Sequence, residues 1–423
     1  MNRRVEISGL APTGEGIARS ADGVGFVAGA LPGEEVDAEV VEARRRFWKG
    51  RATRVLRASP DRAVGAHARG CAGCDWAYLE AEKAREWKRT LFVETMERIG
   101  QLPAAPFGEL PIAPSPAGYR LRARFHAAGR GSSARVGFFA PRTHRVEPAG
   151  GCEALGDGLR SLLPKIEAAV GASGAAVAEI STVETPDARS RLARAVLAAG
   201  ANRLETHALA SGLAPLFDGV VVEDAAGGVA AQEGASRVDI PVAGRVLPAT
   251  AAVFFQSNRF LLDRLVRDVA ARAALPAARA LDAFGGVGLF AGALLDAGHA
   301  VTTVEADSTA VDLALAARTR WEAPDWTIER SGVLDFVSRE AGAFDVVVVD
   351  PPRAGLGLRL AEALPARVGR RLLYVSCDPA TLARDLAVLV ARGLAIREAL
   401  LYDLFAFTHR VEALVLLERD SSR

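Results

Sequence analysis

The sequence contains few cysteines and no long apolar run. Its 423 residues include four cysteines, Cys71, Cys74, Cys152 and Cys377. No apolar stretch reaches the roughly 18 to 20 residues that span a membrane, and the amino-terminal MNRRVEISGL lacks the apolar core of a signal peptide. We therefore expect a cytoplasmic protein, whose cysteines serve chemistry or metal binding more often than crosslinks. Buried, chemically inert thiols are the alternative for any single cysteine.

An excess of charge of either sign is also absent. The chain carries 52 Lys and Arg against 51 Asp and Glu, which gives a formal net charge of +1. Local basic patches would therefore have to hold a polyanion such as RNA, because the net charge offers no general attraction. The candidate residues form two groups: Arg44, Arg45, Arg46, Lys49, Arg51, Arg54 and Arg57, and then Arg120, Arg122 and Arg124. A solvated face without a partner is the alternative interpretation of each group.

Hydrophobic periodicity divides the chain into three predicted domains. Short apolar runs between Pro and Gly turns predict a small five-stranded β-barrel over residues 1–58, and such barrels often bind RNA. Residues 59–245 predict a mixed α+β domain. From residue 246 to 423, short apolar strands alternate with helical stretches of ten or more residues, which is the pattern of a parallel, doubly wound α/β sheet.

Individual elements follow from the same patterns. Apolar residues three or four apart predict a helix from Asp75 to Ile99, and a second helix is predicted over 258–275. Residues 119–125 alternate between arginine and apolar side chains, as expected of a strand with one buried face. The last two apolar runs, 399–404 and 411–417, predict an antiparallel hairpin at the edge of the sheet.

A glycine-rich turn follows the first predicted strand of the carboxyl-terminal domain. It reads Asp282-Ala283-Phe284-Gly285-Gly286-Val287-Gly288, and Glu305 ends the next strand. Glycines at such a turn let the backbone approach a ligand, and an acid at this distance can accept both ribose hydroxyls. The pattern predicts an adenosine cofactor and favours S-adenosylmethionine. Because Ala291 follows Gly286 and Gly288 at the spacing of a loose dinucleotide motif, a nicotinamide cofactor is the alternative.

A second predicted strand also ends in an acidic residue, and the residues after it limit which substrate atom could accept a methyl group. The strand near 344–350 ends in Asp350-Pro351-Pro352-Arg353. Methyltransferases that act on exocyclic amines usually have an aromatic residue after the two prolines, where it stacks on the target base. Arg353 occupies that position here, which argues against methylation of such an amine and leaves carbon as an acceptor. A plain proline turn is the alternative.

A thiol and a further acid are predicted at the same edge of the sheet. Cys377, in Val375-Ser376-Cys377-Asp378-Pro379-Ala380-Thr381, lies just beyond a strand, and Glu412 opens the last strand. Thiolate addition to carbon 6 of uracil makes carbon 5 nucleophilic enough to attack a sulfonium methyl group. A base must then remove the proton from carbon 5 so that the thiol can leave. Cys377 as nucleophile and Glu412 as base fit this chemistry.

With these residues the chain resembles the 5-methyluridine RNA methyltransferases, which modify 23S ribosomal RNA or the T-loop of transfer RNA. Six motifs carry the resemblance, and they lie in the same order as in the family: 254–258 (FFQSN), 282–288 (DAFGGVG), 304–305 (VE), 350–355 (DPPRAG), 375–381 (VSCDPAT) and 407–412 (FTHRVE). The amino-terminal barrel is similar to the TRAM domain of the ribosomal branch. Together they imply a class I S-adenosylmethionine-dependent methyltransferase domain behind a TRAM barrel.

The resemblance also implies roles for individual residues. Contacts to S-adenosylmethionine are implied for Gln256, Phe284, Gly286, Gly288, Glu305 and Asp350, with Cys377 as nucleophile and Glu412 as proton acceptor. RNA is the implied partner, with 23S ribosomal RNA favoured over the uridine of the transfer RNA T-loop. No membrane, no obligate protein partner and a monomer are the family-based expectations.

The three remaining cysteines suggest a metal site. Ribosomal members of the family often bind a four-iron, four-sulfur [4Fe-4S] cluster through Cys-x5-Cys-x2-Cys and a later cysteine. Cys71, Cys74 and Cys152 match three of these positions, and Gly65 occupies the first. The Cys-x2-Cys pair could instead hold zinc, with His67 as a replacement ligand, and an altered or empty site is the further alternative.

Two functions of other classes compete with RNA methylation. A nicotinamide oxidoreductase would use the glycine turn but would leave Cys377 and Glu412 without a role. A catalytically silent RNA-binding protein would combine the barrel with a degenerate cofactor fold, and the joint presence of Gln256, Asp350, Cys377 and Glu412 argues against it.

Overall fold

The computed structural model describes residues 2–20, 23–63, 73–140, 143–276 and 278–419. By its internal contacts the chain forms two compact units, each assembled from separate stretches. Unit 1 comprises residues 1–114, 377–387 and 400–413, and unit 2 comprises residues 115–376, 388–399 and 414–423. The domain boundaries predicted after residues 58 and 245 stay a prediction.

The predicted five-stranded barrel is confirmed in unit 1. Its strands close in the order β1-β2-β3-β5-β4. The alternating pattern of the sequence fills the interior with apolar side chains, among them Ile7, Val27, Val36 and Trp48. The strands are β1 (Asn2–Leu10), β2 (Gly16–Ser20), β3 (Gly23–Ala28), β4 (Glu35–Ala43) and β5 (Phe47–Arg57).

The remainder of unit 1 contains a helix and a short strand. Helix α1 runs over Ala81–Arg98, so it begins six residues later than predicted because residues 75–78 form turns. One face of α1 is buried, and the side chains of Leu91, Phe92 and Met96 lie on it. Strand β6 (Ile112–Ala113) pairs in parallel with residues 401 and 402 of the carboxyl-terminal segment.

The middle of the chain, in unit 2, is mixed α+β as predicted. It forms a seven-stranded sheet of order β13-β12-β11-β10-β7-β8-β9. The elements are β7 (Arg122–Ala128), β8 (Arg135–Phe139), β9 (Val146–Pro148), α2 (Asp157–Ser173), β10 (Val177–Glu184), β11 (Arg191–Leu197), α3 (Arg203–Leu213), β12 (Gly219–Glu223) and β13 (Val229–Gly234). A separate hairpin follows, made of β14 (Val238–Val242) and β15 (Arg245–Ala249).

The carboxyl-terminal half alternates strands and helices around a parallel sheet, which confirms the predicted fold class. Its strand order is β18-β17-β16-β19-β20-β22-β21-β6, with β16 paired in parallel to both β17 and β19. The elements are α4 (Leu262–Ala273), β16 (Arg279–Ala283), α5 (Leu289–Asp296), β17 (Ala300–Glu305), α6 (Ser308–Arg320), β18 (Trp326–Arg330), α7 (Val333–Arg339), β19 (Phe344–Val349), α8 (Gly357–Ala363), β20 (Val368–Ser376), α9 (Pro379–Ala391), β21 (Leu394–Tyr402) and β22 (Glu412–Arg419).

Two predicted details were wrong. The helix expected over 258–275 begins only at Leu262, because the Asn258 side chain accepts hydrogen bonds from the backbone N–H groups of Phe260 and Leu261 and so turns the chain before the helix. The final two strands do not form the sheet edge, since β22 lies between β20 and β21 and β6 is outermost. Among the described helices, none is both long and apolar enough to cross a membrane.

The barrel interior has room for Trp48 only because a glycine faces it. A Cβ atom added at Gly25 would lie 2.2 Å from the Trp48 ring, whereas a Cβ added at Gly9 would meet nothing within 4 Å. We expect Gly25→Ala to displace Trp48 and to lower the free energy of unfolding by roughly 1 to 3 kcal/mol, the usual cost of overpacking. Urea unfolding, with Gly9→Ala as the matched control, measures this, and equal stability of the two variants would contradict it.

Candidate active site

The predicted glycine turn joins β16 to α5 in unit 2. Phe284, its first residue, has a φ of 61°, a left-handed conformation that costs a non-glycine residue energy. Gly286 and Gly288 have φ values of 55° and 91°. A Cβ at Gly288 would lie 2.4 Å from the Trp326 ring, so this position excludes any side chain.

Glu305 lies beside this turn at the carboxyl end of β17. One of its carboxylate oxygens accepts a hydrogen bond from the Gly286 N–H at 3.0 Å. The other accepts from the N–H groups of Ala306 and Asp307 at 2.7 and 2.8 Å. These bonds fix the carboxylate at the turn, and the oxygen that accepts only from Gly286 keeps a lone pair for a ligand hydroxyl.

Gln256 and Asp350 meet although 94 residues separate them. The Gln256 amide donates a hydrogen bond to the Asp350 carboxylate at 3.3 Å. The backbone just after Gln256 is held by residues 119–121: the Leu121 N–H donates to the Ser257 carbonyl, and the Arg259 N–H donates to the Tyr119 carbonyl. Two predicted cofactor residues therefore lie in direct contact, and the backbone that follows Gln256 is anchored by residues 119–121.

Two carboxyl groups in the cofactor region, that of buried Asp282 and that of half-buried Asp350, hold their protons more tightly than ordinary aspartic acids. Burial raises the pKa of Asp282 to about 7, and it raises the pKa of Asp350 to about 7 as well. Hydrogen bonds from Thr303 and Ala291 to Asp282 oppose the shift, and the charge of Asp350 adds to it. The second oxygen of Asp282 has no hydrogen-bond partner among the described residues, as expected of a group positioned for a ligand or for a proton.

An apolar cavity of about 410 Å³ opens beside Phe284. Its wall includes Val333 and Leu334 of the first turn of α7, and Leu356, which lies just before α8. Such a lining suits the face of a flat aromatic ring. Val333 and Leu334 were not among the predicted site residues, because apolar side chains carry no recognisable chemical signal in a sequence.

The predicted nucleophile lies in unit 1. Cys377 is half-buried, and it lines a cavity of about 180 Å³. The chain reaches Cys377 directly from β20, and α9 begins two residues later. Asp378 caps that helix, since its carboxylate accepts hydrogen bonds from the N–H groups of Ala380 and Thr381, both at 3.0 Å.

The other walls of this cavity come from distant parts of unit 1. They comprise Pro12 and Thr13 of the barrel, Lys88, Leu91, Phe92 and Thr95 of α1, and His409, Arg410 and Val411. Glu412, the predicted base, follows Val411 directly and is 1% exposed. The sequence interpretation therefore found the thiol and the acid, but it missed the contributions of α1 and of the barrel.

His409 is a further residue that the sequence interpretation left without a role. Its imidazole Nδ1 contacts the Asp75 carboxylate, and its backbone N–H donates to the same carboxylate at 3.0 Å. Gly14 of the barrel packs against the ring. Partners more than 300 residues apart leave no local pattern from which this cluster could be predicted.

The predicted metal site is not established. Cys71, together with Gly65 and His67, lies outside the described residues. Cys74 and Cys152 are buried, and neither forms a disulfide. Within the described ranges, no group of three His, Cys, Asp or Glu side chains could hold a metal ion. The described residues do not form a binding site for an iron–sulfur cluster, and such a cluster stays a prediction.

The raised pKa of Asp282 makes stability depend on pH. The native state holds this proton up to about pH 7, whereas an ordinary Asp releases it near 3.8. Native stability should therefore fall as the pH rises between these values, by at most roughly 1.4 kcal/mol per pH unit. We expect Asp282→Asn to flatten this decline, measured as the thermal midpoint between pH 5 and 8. Asp312→Asn, a change at an exposed carboxylate, is the control, and equal slopes in all three proteins would contradict the assignment.

Comparison with known proteins agrees with the architecture. A TRAM domain model matches residues 2–53, and a model described as tRNA (Uracil-5-)-methyltransferase matches residues 333–420. The Pyrococcus abyssi tRNA (uracil-54, C5)-methyltransferase, solved in complex with S-adenosyl-L-homocysteine, has the same fold. It superposes with a TM-score of 0.76 at 22% identity and covers 98% of this chain and 100% of its own.

Full-length relatives share more of the sequence. The 23S rRNA (uracil(1939)-C(5))-methyltransferase RlmD of Halomonas elongata is 33% identical, and the alignment covers 100% of this chain and 90% of the relative. The protein of the same description from Methylococcus capsulatus is 31% identical over 98% of this chain and 96% of its own length. Barrel, parallel sheet and motif order thus coincide with detailed similarity along the whole chain, which belongs to the RNA (uracil-C5)-methyltransferase family.

Proposed function

We propose that this enzyme transfers a methyl group from S-adenosylmethionine to carbon 5 of a uridine in 23S ribosomal RNA. The observation that carries the proposal is Cys377, a half-buried thiol in the wall of a cavity of about 180 Å³, directly after a sheet strand. The full-length relatives of 33% and 31% identity are described as 23S enzymes, which favours ribosomal RNA as substrate. A transfer RNA uridine is the alternative.

The cofactor residues fit S-adenosylmethionine. Glu305 would accept the ribose hydroxyls, and the turn from Phe284 to Gly288 would bring its backbone close to the ligand. The apolar cavity beside Phe284 would take the adenine ring, and Gln256 and Asp350 would hold the polar end. When bound, the cofactor supplies an electrophilic methyl group on a positively charged sulfur.

Cys377 would open the reaction. The amino-terminal end of a helix favours a thiolate, and α9 begins two residues beyond the thiol. Addition of the thiolate to carbon 6 forms a carbon–sulfur bond and places the displaced electron pair on carbon 5 and oxygen 4. Carbon 5 would then attack the methyl group with this electron pair, and the electrons of the broken methyl–sulfur bond would stay on the sulfur, which leaves as a neutral thioether. Carbon 5 would now carry both its original hydrogen and the new methyl group.

Glu412 would close the reaction. Its carboxylate would take the proton from carbon 5, the carbon–carbon double bond would re-form, and Cys377 would leave as a thiolate. Burial at 1% exposure keeps water from competing for that proton. The uridine must be flipped out of its stack to reach the thiol, as for other enzymes that modify a base inside folded nucleic acid.

The first test is the reaction itself. The protein is incubated with labelled S-adenosylmethionine and unmodified 23S ribosomal RNA or transfer RNA, and the RNA is then digested to nucleosides. We expect labelled 5-methyluridine from the ribosomal RNA. Cys377→Ala should abolish it because the proposed addition to carbon 6 needs this thiol, whereas Ser338→Ala, a surface change on α7, should leave the rate unchanged. Absence of 5-methyluridine from both RNAs would refute the proposal.

The second test concerns the base. We expect Glu412→Gln to trap a covalent complex of protein and methylated RNA, because methyl transfer still occurs and elimination does not. Turnover should fall by a factor on the order of 10² to 10⁴, the usual contribution of a general base. The complex is counted as slow-migrating RNA on a denaturing gel, with Glu362→Gln, an exposed glutamate on α8, as the control. Normal turnover by the Glu412→Gln variant would remove Glu412 from this role.

A further inference from the structure

We propose that Lys88 is a positioning residue for Glu412, because it fixes the segment that leads into that glutamate. This segment is the 403–411 connection, which joins β21 to β22 and ends immediately before Glu412. The inference rests on the proposed function, since it assigns Lys88 to the elimination step.

Lys88 is a buried charge in the middle of α1. Its side chain has 0% exposure. The ammonium donates a hydrogen bond to the Asp403 carboxylate at 2.5 Å and another to the Phe405 carbonyl at 3.2 Å. Both acceptors belong to the first three residues of the 403–411 connection. Burying an ammonium is costly unless it is paired and hydrogen-bonded, so this geometry is strongly preferred over any in which the connection moves away.

The middle of the 403–411 connection is also held by hydrogen bonds, one from outside the connection and one within it. The Trp76 N–H donates to the Phe407 carbonyl at 2.9 Å, and the Thr408 hydroxyl donates to the Phe405 carbonyl at 2.8 Å. Phe407 has a φ of 69°, a strained left-handed conformation that persists only where the surroundings enforce it. Lys88 differs from these contacts because it also lines the cavity that contains Cys377.

Activation of the thiol is a different role that the position of Lys88 would allow. Two observations favour positioning instead. The charge of Lys88 is already matched by Asp403, and burial lowers its pKa while Asp403 opposes that change. Both hydrogen bonds described for the Lys88 ammonium are donated to acceptors in the 403–411 connection. The main effect of Lys88 is therefore to fix the position of that segment.

The two roles predict opposite changes in the covalent complex. A displaced Glu412 slows elimination while addition and methyl transfer continue, so the complex accumulates. Loss of thiolate activation, or general damage to the fold, slows addition, so the complex and the turnover decrease together. The amount of complex per turnover is therefore a measure that a merely structural role would not raise.

The experiment uses the full-length chain with labelled S-adenosylmethionine and the ribosomal RNA substrate. Lys88→Met alone would leave Asp403 buried without its partner, so the main variant combines Lys88→Met with Asp403→Leu, because replacing both partners of a buried ion pair by apolar residues is often tolerated. We expect the methylated complex per turnover to rise by about tenfold or more, since a misplacement of about 1 Å can cost 10²-fold in rate.

Two further variants make the result specific. Lys83→Met removes an exposed lysine from the same helix and should behave as the wild type. Asp403→Asn keeps an acceptor for Lys88 and should raise the complex less than the double variant does. A double variant whose complex decreases in proportion to turnover would overturn the inference, as would one that matches the wild type in both measures. Failure of the proposed function would show differently, as a wild-type protein that makes no 5-methyluridine and a Glu412→Gln protein that traps no RNA.

Discussion

Parallel pairing of β16 with both of its neighbours is the constraint on which the cofactor region depends. In this register Asp282 lies opposite Thr303 of β17 and Val348 of β19. The three strands therefore end at one level, where the glycine turn follows β16, Glu305 ends β17 and Asp350 follows β19. The Thr303 hydroxyl donates to Asp282 and accepts from Trp326, which ties β18 into the same arrangement. A shift of one residue would turn these side chains to the opposite face.

The same arrangement makes unit 2 less stable than an apolar core of the same size would be. Two carboxyl groups, one buried and one half-buried, lie near the strand ends, and each has a pKa of about 7. A carboxyl group with a pKa near 7 can lose or keep its proton at little cost in free energy. It can therefore meet a bound ligand either as a neutral hydrogen-bond donor or as a negative charge. Sites built for binding commonly carry such a penalty, which the rest of the fold offsets.

The features that could be predicted from the sequence are those with a regular hydrophobic pattern or with a chemically recognisable motif. The barrel, the alternating strands and helices, and the acids that end β17 and β19 all followed from local patterns. Lys88 was missed although it lies four residues after Ala84 and four before Phe92, on the buried face of α1. A lysine there is normally interpreted as solvent-exposed, and the carboxylate that makes its burial tolerable lies 315 residues away. Pairings at that separation leave no trace in spacing or periodicity. The residues that line the cavity around Cys377 could therefore be identified only from the structure.

Unit 1 is assembled from stretches far apart in the sequence, and this determines when its cavity can form. The cavity around Cys377 has walls from residues 12 and 13, from α1 and from residues 409–411. During synthesis the barrel and α1 emerge long before the last wall exists. The entropy of closing so long a loop grows only logarithmically with its length, so a finished chain completes the cavity at modest extra cost. A chain that stops before residue 409 has a barrel and a thiol but no enclosed site around that thiol. Assembly of the nucleophile's surroundings therefore cannot precede the synthesis of residues 409–411.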